Sequence, residues 1–156
     1  MEINGVGNEE RCLIPTIRRS PNEEEQMQQL SMDELNKITE AIIGAAIEVH
    51  KHLGPGLLEP AYRECLRYEL IERGYLALQE VPLPLTYKGL KLDCGCRLDL
   101  LVNDAVIVEV KSVSDLMPIH DAQLLSYLKI SGGKIGLLLN SNVKILKYGG
   151  IKRLAN

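Results

Sequence analysis

Apolar residues recur with the period of an α-helix in the stretch that follows residue 30. Ser31 and Glu34 have the spacing of a capping box, in which each side chain satisfies a backbone N–H of the other residue, and they predict where the first helix begins. Its apolar face would carry Leu35, Ile38, Ile42, Ala45, Ala46 and Val49. We predict that this helix ends before Gly54 and that a second helix covers residues 57–73, with Pro60 in its first turn.

The apolar period changes to two after the second predicted helix, which is typical of β-strands. Alternating residues predict one strand over 81–87 and another over 90–100, with a turn between them. The later elements are predicted as a strand over 105–111, a helix over 119–130, and strands over 135–139 and 143–148. The order α-α-β-β-β-α-β-β predicts an α/β fold in which a mixed β-sheet is flanked by helices.

The first 30 residues follow neither period and include runs of glutamate and glutamine. We expect residues 1–30 to be a poorly ordered N-terminal tail and residues 31–156 to form one domain. The chain contains no Phe and no Trp, so Leu, Ile and Val have to fill the core. Its four cysteines include one C-x-C pair, which is weak evidence for metal, and we interpret them as buried or half-buried free thiols in a reducing compartment.

The distribution of charge limits how this chain could meet nucleic acid. Its formal net charge is −3, which argues against a protein that coats nucleic acid without specificity. Residues 129–156 contain no acidic side chain and six basic ones: Lys129, Lys134, Lys144, Lys147, Lys152 and Arg153. This end could face phosphates or could be a solvated strand edge. No apolar run could span a bilayer and no signal peptide is recognisable, so we expect a cytoplasmic protein.

The candidate chemistry lies in the hairpin that holds Asp99, Glu109 and Lys111. Glu109 and Lys111 are two residues apart and share one face of their strand, whereas the valines between and before them would fill the other face. Asp99 lies near the end of the preceding strand and can come alongside. Two carboxylates and a lysine are costly to place on an apolar sheet, which suggests that they have a function.

Asp99 and Glu109 offer hard oxygen ligands that together could hold one Mg²⁺ ion. Such an ion would neutralise charge on a phosphate and lower the pKa of an attacking water. Lys111 could orient that water or stabilise the transition state. The alternative is an exposed Glu–Lys pair on the sheet surface, because E-x-K is a common string, and the spacing by itself leaves both interpretations open.

Two further features lie outside the hairpin. Gln123 and Tyr127 are four residues apart and share one helix face. This face could fix a water or a phosphate, or it could belong to an ordinary amphipathic helix with the Tyr127 ring packed. Glu59 places a third carboxylate in the first turn of the second helix, where it could join the site or only complement the helix dipole.

Asp99, then Glu109-x-Lys111, then Gln123 with Tyr127 together resemble the PD-(D/E)XK nuclease superfamily, in its branch similar to recombination-type exonucleases. More closely, Gly56-x-x-Glu59-x-x-Tyr62 and the segment 43–50 resemble the small bacterial and archaeal GxxExxY proteins of that superfamily. The resemblance runs over residues 35–156. It implies a restriction-endonuclease-like αβββαβ core with an extra N-terminal helix.

The resemblance also implies a set of functional residues and two alternative functions. The acidic and polar site would consist of Glu59, Asp99, Glu109, Lys111 and Gln123, with the three carboxylates as ligands of Mg²⁺ or Mn²⁺ and Tyr127 as a substrate contact. The first hypothesis is a metal-dependent nuclease that hydrolyses DNA phosphodiesters in repair or in defence. The alternative is a catalytically silent nuclease-fold module that binds nucleic acid or a protein partner. In either case a homodimer or a protein partner could supply the basic surface that this acidic chain lacks.

Overall fold

The computed structural model describes residues 30–156, so the tail predicted for residues 1–30 lies almost entirely outside the described residues. Three helices and seven strands follow one another in this range. The helices are α1 (Met32–Leu53), α2 (Glu59–Glu72) and α3 (Pro118–Ser131). The strands are β1 (Ala77–Pro82), β2 (Leu85–Tyr87), β3 (Leu90–Leu92), β4 (Arg97–Val102), β5 (Val106–Lys111), β6 (Ile135–Asn140) and β7 (Ile151–Ala155).

Five strands form one mixed sheet in the order β1-β4-β5-β6-β7. Only β5 and β6 are parallel, and α3 is the crossover helix that connects them, whereas the other neighbours are antiparallel. The short strands β2 and β3 form a separate hairpin. The predicted fold class is confirmed: α2, β1, β4, β5, α3 and β6 form an αβββαβ core consistent with a restriction-endonuclease-like fold, and α1 is the extra N-terminal helix.

Both faces of the sheet are covered. One apolar cluster joins α1 and α2 to Val106 and Val108 of β5 and to Leu137 and Leu139 of β6. A second cluster joins Leu124 and Leu128 of α3 to Ile107 and Leu138 on the opposite face. Within residues 30–156, no helix has the length and apolarity needed to cross a bilayer.

The predicted start of α1 is confirmed in atomic detail. The Ser31 Oγ accepts from the Glu34 N–H, and Glu34 Oε2 accepts from the Ser31 N–H at 2.8 Å. All six apolar residues predicted for its inner face are buried. The second helix begins at Glu59, two residues later than predicted, and Pro60 lies in its first turn as expected.

The predicted strands 81–87 and 90–100 are each divided in two. Pro82 and Pro84 lack the N–H that a ladder needs, so the sheet strand β1 ends there and the small hairpin begins. Residues 93–96 form the loop between β3 and β4, in which the sulfurs of Cys94 and Cys96 are 3.4 Å apart. Cys65 and Cys94 are exposed and not buried in the core, and Cys12 lies outside the described residues.

The predicted strand over 143–148 is wrong, and the last strand is β7. Residues 141–150 form bends and turns in which Val143 and Leu146, three residues apart, both pack on the core of α1 and α2. A Cβ at Gly150 would lie 2.7 Å from Val143 Cγ2, so a larger residue would not fit in this compact loop. The apolar residues there have the spacing of a turn, which resembles strand alternation in the sequence alone.

Candidate active site

The carboxylates of Asp99 and Glu109 meet where the β4–β5 hairpin opens. Backbone pairing between these strands runs from Val102–Val106 to Leu100–Val108 and ends there. Beyond that point the Asp99 N–H donates to Glu109 Oε1 at 3.2 Å, and the Val110 N–H donates to Asp99 Oδ2 at 2.8 Å. The two side chains therefore take the places of missing ladder partners and converge on one site.

Asp99 reaches this position because strand alternation breaks at its level. Strands β1 and β4 pair at Gln79–Leu100 and at Val81–Leu98, but not between Glu80 and Asp99. Glu80 adopts a positive φ of 52°, which is rare for a residue with a side chain. As a result Leu98 and Leu100 pack in different apolar clusters, although residues two apart in a regular strand lie on the same face.

The predicted division of β5 into two faces is confirmed. Its valines pack toward α1 and α2, whereas Glu109 and Lys111 face α3. Lys111 Nζ donates to Gln123 Oε1 at 2.8 Å and lies 3.7 Å from Glu109 Oε2. Gln123 Nε2 in turn donates to the Tyr127 hydroxyl at 3.1 Å. The polar face of α3 therefore holds the lysine beside the carboxylates.

A glycine lets α3 approach the sheet closely enough for these contacts. Gly136 of β6 lies under Leu124, and a Cβ at that position would be only 2.7 Å from Leu124 Cδ1. Gln123 is the residue before Leu124. The height of α3 above the sheet, and with it the reach of Gln123 to Lys111, is therefore set at Gly136.

The buried environment changes the acidity of the site. Glu109 is only 3% exposed, and burial, assisted by the negative charge of Asp99, raises the pKa of Glu109 to about 7. The hydrogen bond from the Asp99 N–H and the charge of Lys111 act in the opposite direction. Burial, followed by the charge of Glu109, also raises the pKa of Tyr127. Burial therefore disfavours the ionised forms of both groups.

Glu59 lies at the edge of this site and joins α2 to the end of β5. Its Oε1 accepts from the N–H of Ser112 at 2.9 Å, and Ser112 directly follows Lys111. This contact exceeds what is needed to complement a helix dipole. Across residues 30–156, however, no three His, Cys, Asp or Glu side chains lie close enough together to hold a metal ion. The role of Glu59 as a third ligand stays a prediction.

Asp99 and Glu109 nevertheless fit a hard divalent cation. Mg²⁺ retains several waters and is commonly bound through one or two carboxylates, so a third protein ligand is not required. Because burial and the negative charge of Asp99 disfavour the ionised form of Glu109, a cation bound here would favour that form. These two residues would hold the ion, with Lys111 and Gln123 next to it.

Two charged residues at the site were missed by the sequence interpretation. Arg63 of α2 lies with Nη1 3.2 Å from Asp99 Oδ1 and with Nη2 3.4 Å from Glu80 Oε1. Arg63 is one helical turn after Glu59, so the i, i+4 spacing could have found it. Glu80 carried no such signal, because its position depends on how β1 and β4 pair.

Lys152 and Arg153, the last two basic residues of the C-terminal segment, do not lie on one surface. Lys152 pairs with Asp121 of α3, whereas Arg153 Nη2 donates to Asn36 Oδ1 of α1 at 2.7 Å. Consecutive strand residues point to opposite sheet faces, so these two side chains diverge. For this pair the structure favours the solvated-edge interpretation.

The fold and this carboxylate–lysine site define a class of α/β domain with an acidic centre at the opening of a hairpin. Residues 36–154 match the family model of the PD-(D/E)XK nuclease superfamily. This match covers most of the chain, so the protein belongs to the PD-(D/E)XK nuclease superfamily. The match does not reach the level of the GxxExxY proteins, and that part of the resemblance stays a prediction. A search of curated proteins gave no match, and a search of solved structures gave none.

Proposed function

We propose that this protein is a nuclease that hydrolyses phosphodiester bonds in DNA and depends on Mg²⁺ or Mn²⁺, with a role in DNA repair or in defence against foreign DNA. One observation carries the proposal. In a PD-(D/E)XK nuclease domain, Asp99, Glu109 and Lys111 are gathered at one opening of the sheet.

Each residue of the set would have a distinct role. When bound at Asp99 and Glu109, the divalent ion would neutralise charge on the phosphate and make a water more acidic. Lys111 would orient the attacking water and stabilise negative charge as it develops. Because Lys111 is a cation and cannot be a ligand of the ion, its loss should affect catalysis more than metal binding.

The neighbouring residues would position this machinery. Gln123 accepts from Lys111 and so fixes the direction of its ammonium group, and Tyr127 accepts from Gln123. Glu59 accepts a hydrogen bond from the N–H of Ser112, the residue after Lys111. Its carboxylate would reach the ion directly or through a water. Since a net charge of −3 gives no net long-range attraction to DNA, the proposal includes a second copy or a protein partner that adds basic surface.

The decisive experiment is a cleavage assay with linear, circular, single-stranded and flapped DNA in Mg²⁺ or Mn²⁺. Wild-type protein should cut at least one of these substrates, and Lys111→Ala should abolish cutting while the fold is retained. Lys91→Ala is the matched control, because it removes the same charge from an exposed position in β3. If the wild-type protein cuts none of these substrates but binds DNA, and Lys111→Ala binds DNA more weakly than wild type, the protein is a silent binding module.

A further inference from the structure

Arg63 occupies an unusual position for a structural arginine. Its side chain is only 16% exposed and donates to Asp99, the carboxylate that we assign to the divalent ion, through Nη1 at 3.2 Å. Nη2 is 3.4 Å from Glu80 Oε1. The Arg63 Nε is buried and has no hydrogen-bond partner. A buried donor without a partner is costly, which indicates that this arrangement is not the one in which Arg63 is fully satisfied.

Arg63 and a divalent ion would compete for Asp99. Each is a cation that lowers the energy of the same carboxylate, and they would repel each other at this short range. Binding of the ion therefore weakens the contact between Arg63 and Asp99. The contact with Glu80 remains, because it uses a different Nη group of Arg63 and a different carboxylate, on β1.

Glu80 is itself held in a conformation that needs an explanation. Its positive φ of 52° opposite Asp99 costs energy in a residue with a side chain. The conformation places its carboxylate on Arg63, so Arg63 stays at the site edge even when Asp99 is engaged elsewhere. The guanidinium then keeps Nη2 on Glu80 and has Nη1, released from Asp99, free to donate a charge-assisted hydrogen bond to a phosphate oxygen.

We propose that Arg63 binds a backbone phosphate of the substrate and that it is held on Asp99 until a divalent ion takes that carboxylate. The inference rests on the proposed function, since it assigns a substrate contact to the same site. It makes the ion and DNA bind with positive coupling: the ion frees the arginine, and the arginine then holds the phosphate.

The test compares Arg63→Gln with Arg67→Gln, which removes the same charge one turn further along α2. Arg67 contacts the Ala77 carbonyl and Glu64 and not the site. Mn²⁺ binding is measured from the ion concentration at which the melting temperature rises. Arg63→Gln should shift this midpoint to lower Mn²⁺ by about tenfold, because a competing charge is gone. Arg67→Gln should leave it unchanged.

DNA binding is measured by fluorescence anisotropy with all variants in a Lys111→Ala background, so that no cleavage intervenes. With Mn²⁺ present, Arg63→Gln should weaken binding about tenfold, as expected for one lost charge-assisted contact. Without Mn²⁺ the loss should be small, because Arg63 is then still on Asp99. Arg63→Lys keeps the charge but has one nitrogen in place of the two Nη groups, one for Glu80 and one for the phosphate. It should retain the wild-type Mn²⁺ midpoint and lose DNA affinity nearly as much as Arg63→Gln.

A purely structural arginine would give a different result. Arg63→Gln would then lower the melting temperature without shifting the Mn²⁺ midpoint or the DNA affinity, and the proposal would be wrong. If Arg63→Gln does not fold, Arg63→Lys decides, because unchanged DNA affinity in that variant also overturns the proposal. A wild-type protein that cuts DNA while these shifts are absent refutes the role of Arg63 alone. A wild-type protein that neither cuts nor responds to Mn²⁺ refutes the proposed function as well.

Discussion

The β4–β5 hairpin has two halves that differ in how their backbone is satisfied. In the closed half, Leu100–Val102 pair with Val106–Val108, and the side chains pack in the two apolar clusters. In the open half, beyond Leu100 and Val108, the N–H groups of Asp99 and Val110 donate to the carboxylates of Glu109 and Asp99. The same two side chains therefore hold the open half together and provide the candidate metal ligands. We expect the closed half to contribute most to stability, and the carboxylates of the open half to lower stability while serving catalysis.

The largest stability effect should come from the closed half. Ile107 is 1% exposed and packs under α3, so Ile107→Ala should lower the free energy of unfolding by about 3 kcal/mol through lost burial and a cavity. Urea melts would measure this loss. Cleavage by the remaining folded protein at low temperature should change much less than stability does. A total loss of cleavage in fully folded Ile107→Ala would show that the two halves are not separable.

In the open half, Glu109→Gln should have the opposite effect on stability while abolishing cleavage. The folded-state pKa of Glu109 is raised from 4.5 to about 7, so protonation favours the folded state. The free energy of unfolding of the metal-free protein should therefore fall as pH rises from about 4.5 through about 7, by at most about 3 kcal/mol. Glutamine carries no charge at any pH and still accepts from the Asp99 N–H.

The measurement is a series of urea melts across this pH window without metal. The difference between Glu109→Gln and wild type isolates the residue from all other titrating groups. The variant should equal or exceed wild type above the window and lose its advantage below it. Equal pH profiles for the two proteins would contradict the assignment of Glu109 as a buried, repelled carboxylate.

Divalent ions should stabilise the open half specifically. Mn²⁺ at about a hundredfold above its Kd should raise the free energy of unfolding by about 3 kcal/mol, because it binds only the folded site. Mg²⁺ should act at higher concentration than Mn²⁺. Asp99→Asn should weaken the response, whereas Asp93→Asn, a change in the exposed loop before β4, should not. An equal Mn²⁺ response in Asp99→Asn would place the ion elsewhere.

The packing of α3 on the sheet at Gly136 links the closed and open halves of the hairpin. Gly136→Ala would push a methyl group into Leu124, so we expect a stability loss of about 2 kcal/mol and a larger loss of cleavage as Gln123 moves from Lys111. Gly44→Ala is the matched control, because its nearest neighbour is the flexible end of Arg73 at 3.1 Å and alanine favours the helix α1. If Gly136→Ala lost stability but kept its full cleavage rate, the position of α3 would not control the site.

Much of this architecture could be predicted because it depends on local patterns. The capping box at Ser31 fixes the start of α1, and the alternation in β5 separates Glu109 and Lys111 from the valines. The motif spacing also selected Asp99, Glu109 and Lys111, which the structure brings together. Each of these signals lies within one element, where the helical or strand period is enough.

The features that could not be predicted depend on contacts between elements. The left-handed Glu80 and the break in alternation at Asp99 arise from the pairing of β1 with β4. The loop 141–150 folds on the core through Val143 and Leu146, and only the tertiary packing distinguishes that spacing from a strand. Pro82 and Pro84 do indicate that the strand ends there, but the apolar alternation of the neighbouring residues favours one continuous strand over 81–87.

The smallest expected effect separates two roles for Tyr127. Its hydroxyl accepts from Gln123 Nε2 at 3.1 Å, and Gln123 accepts from Lys111. If Tyr127 acts through this chain, Tyr127→Phe should lower kcat by about fivefold or less, the value of one neutral hydrogen bond, with little change in KM or stability. If instead Tyr127 contacts the DNA, the same substitution should raise KM and leave kcat nearly unchanged. Tyr148→Phe, at an exposed position in the loop before β7, should change neither constant. The hydrogen bonds that connect Tyr127 to Lys111 through Gln123 favour the loss in kcat. Steady-state cleavage kinetics on one DNA substrate would distinguish the two roles.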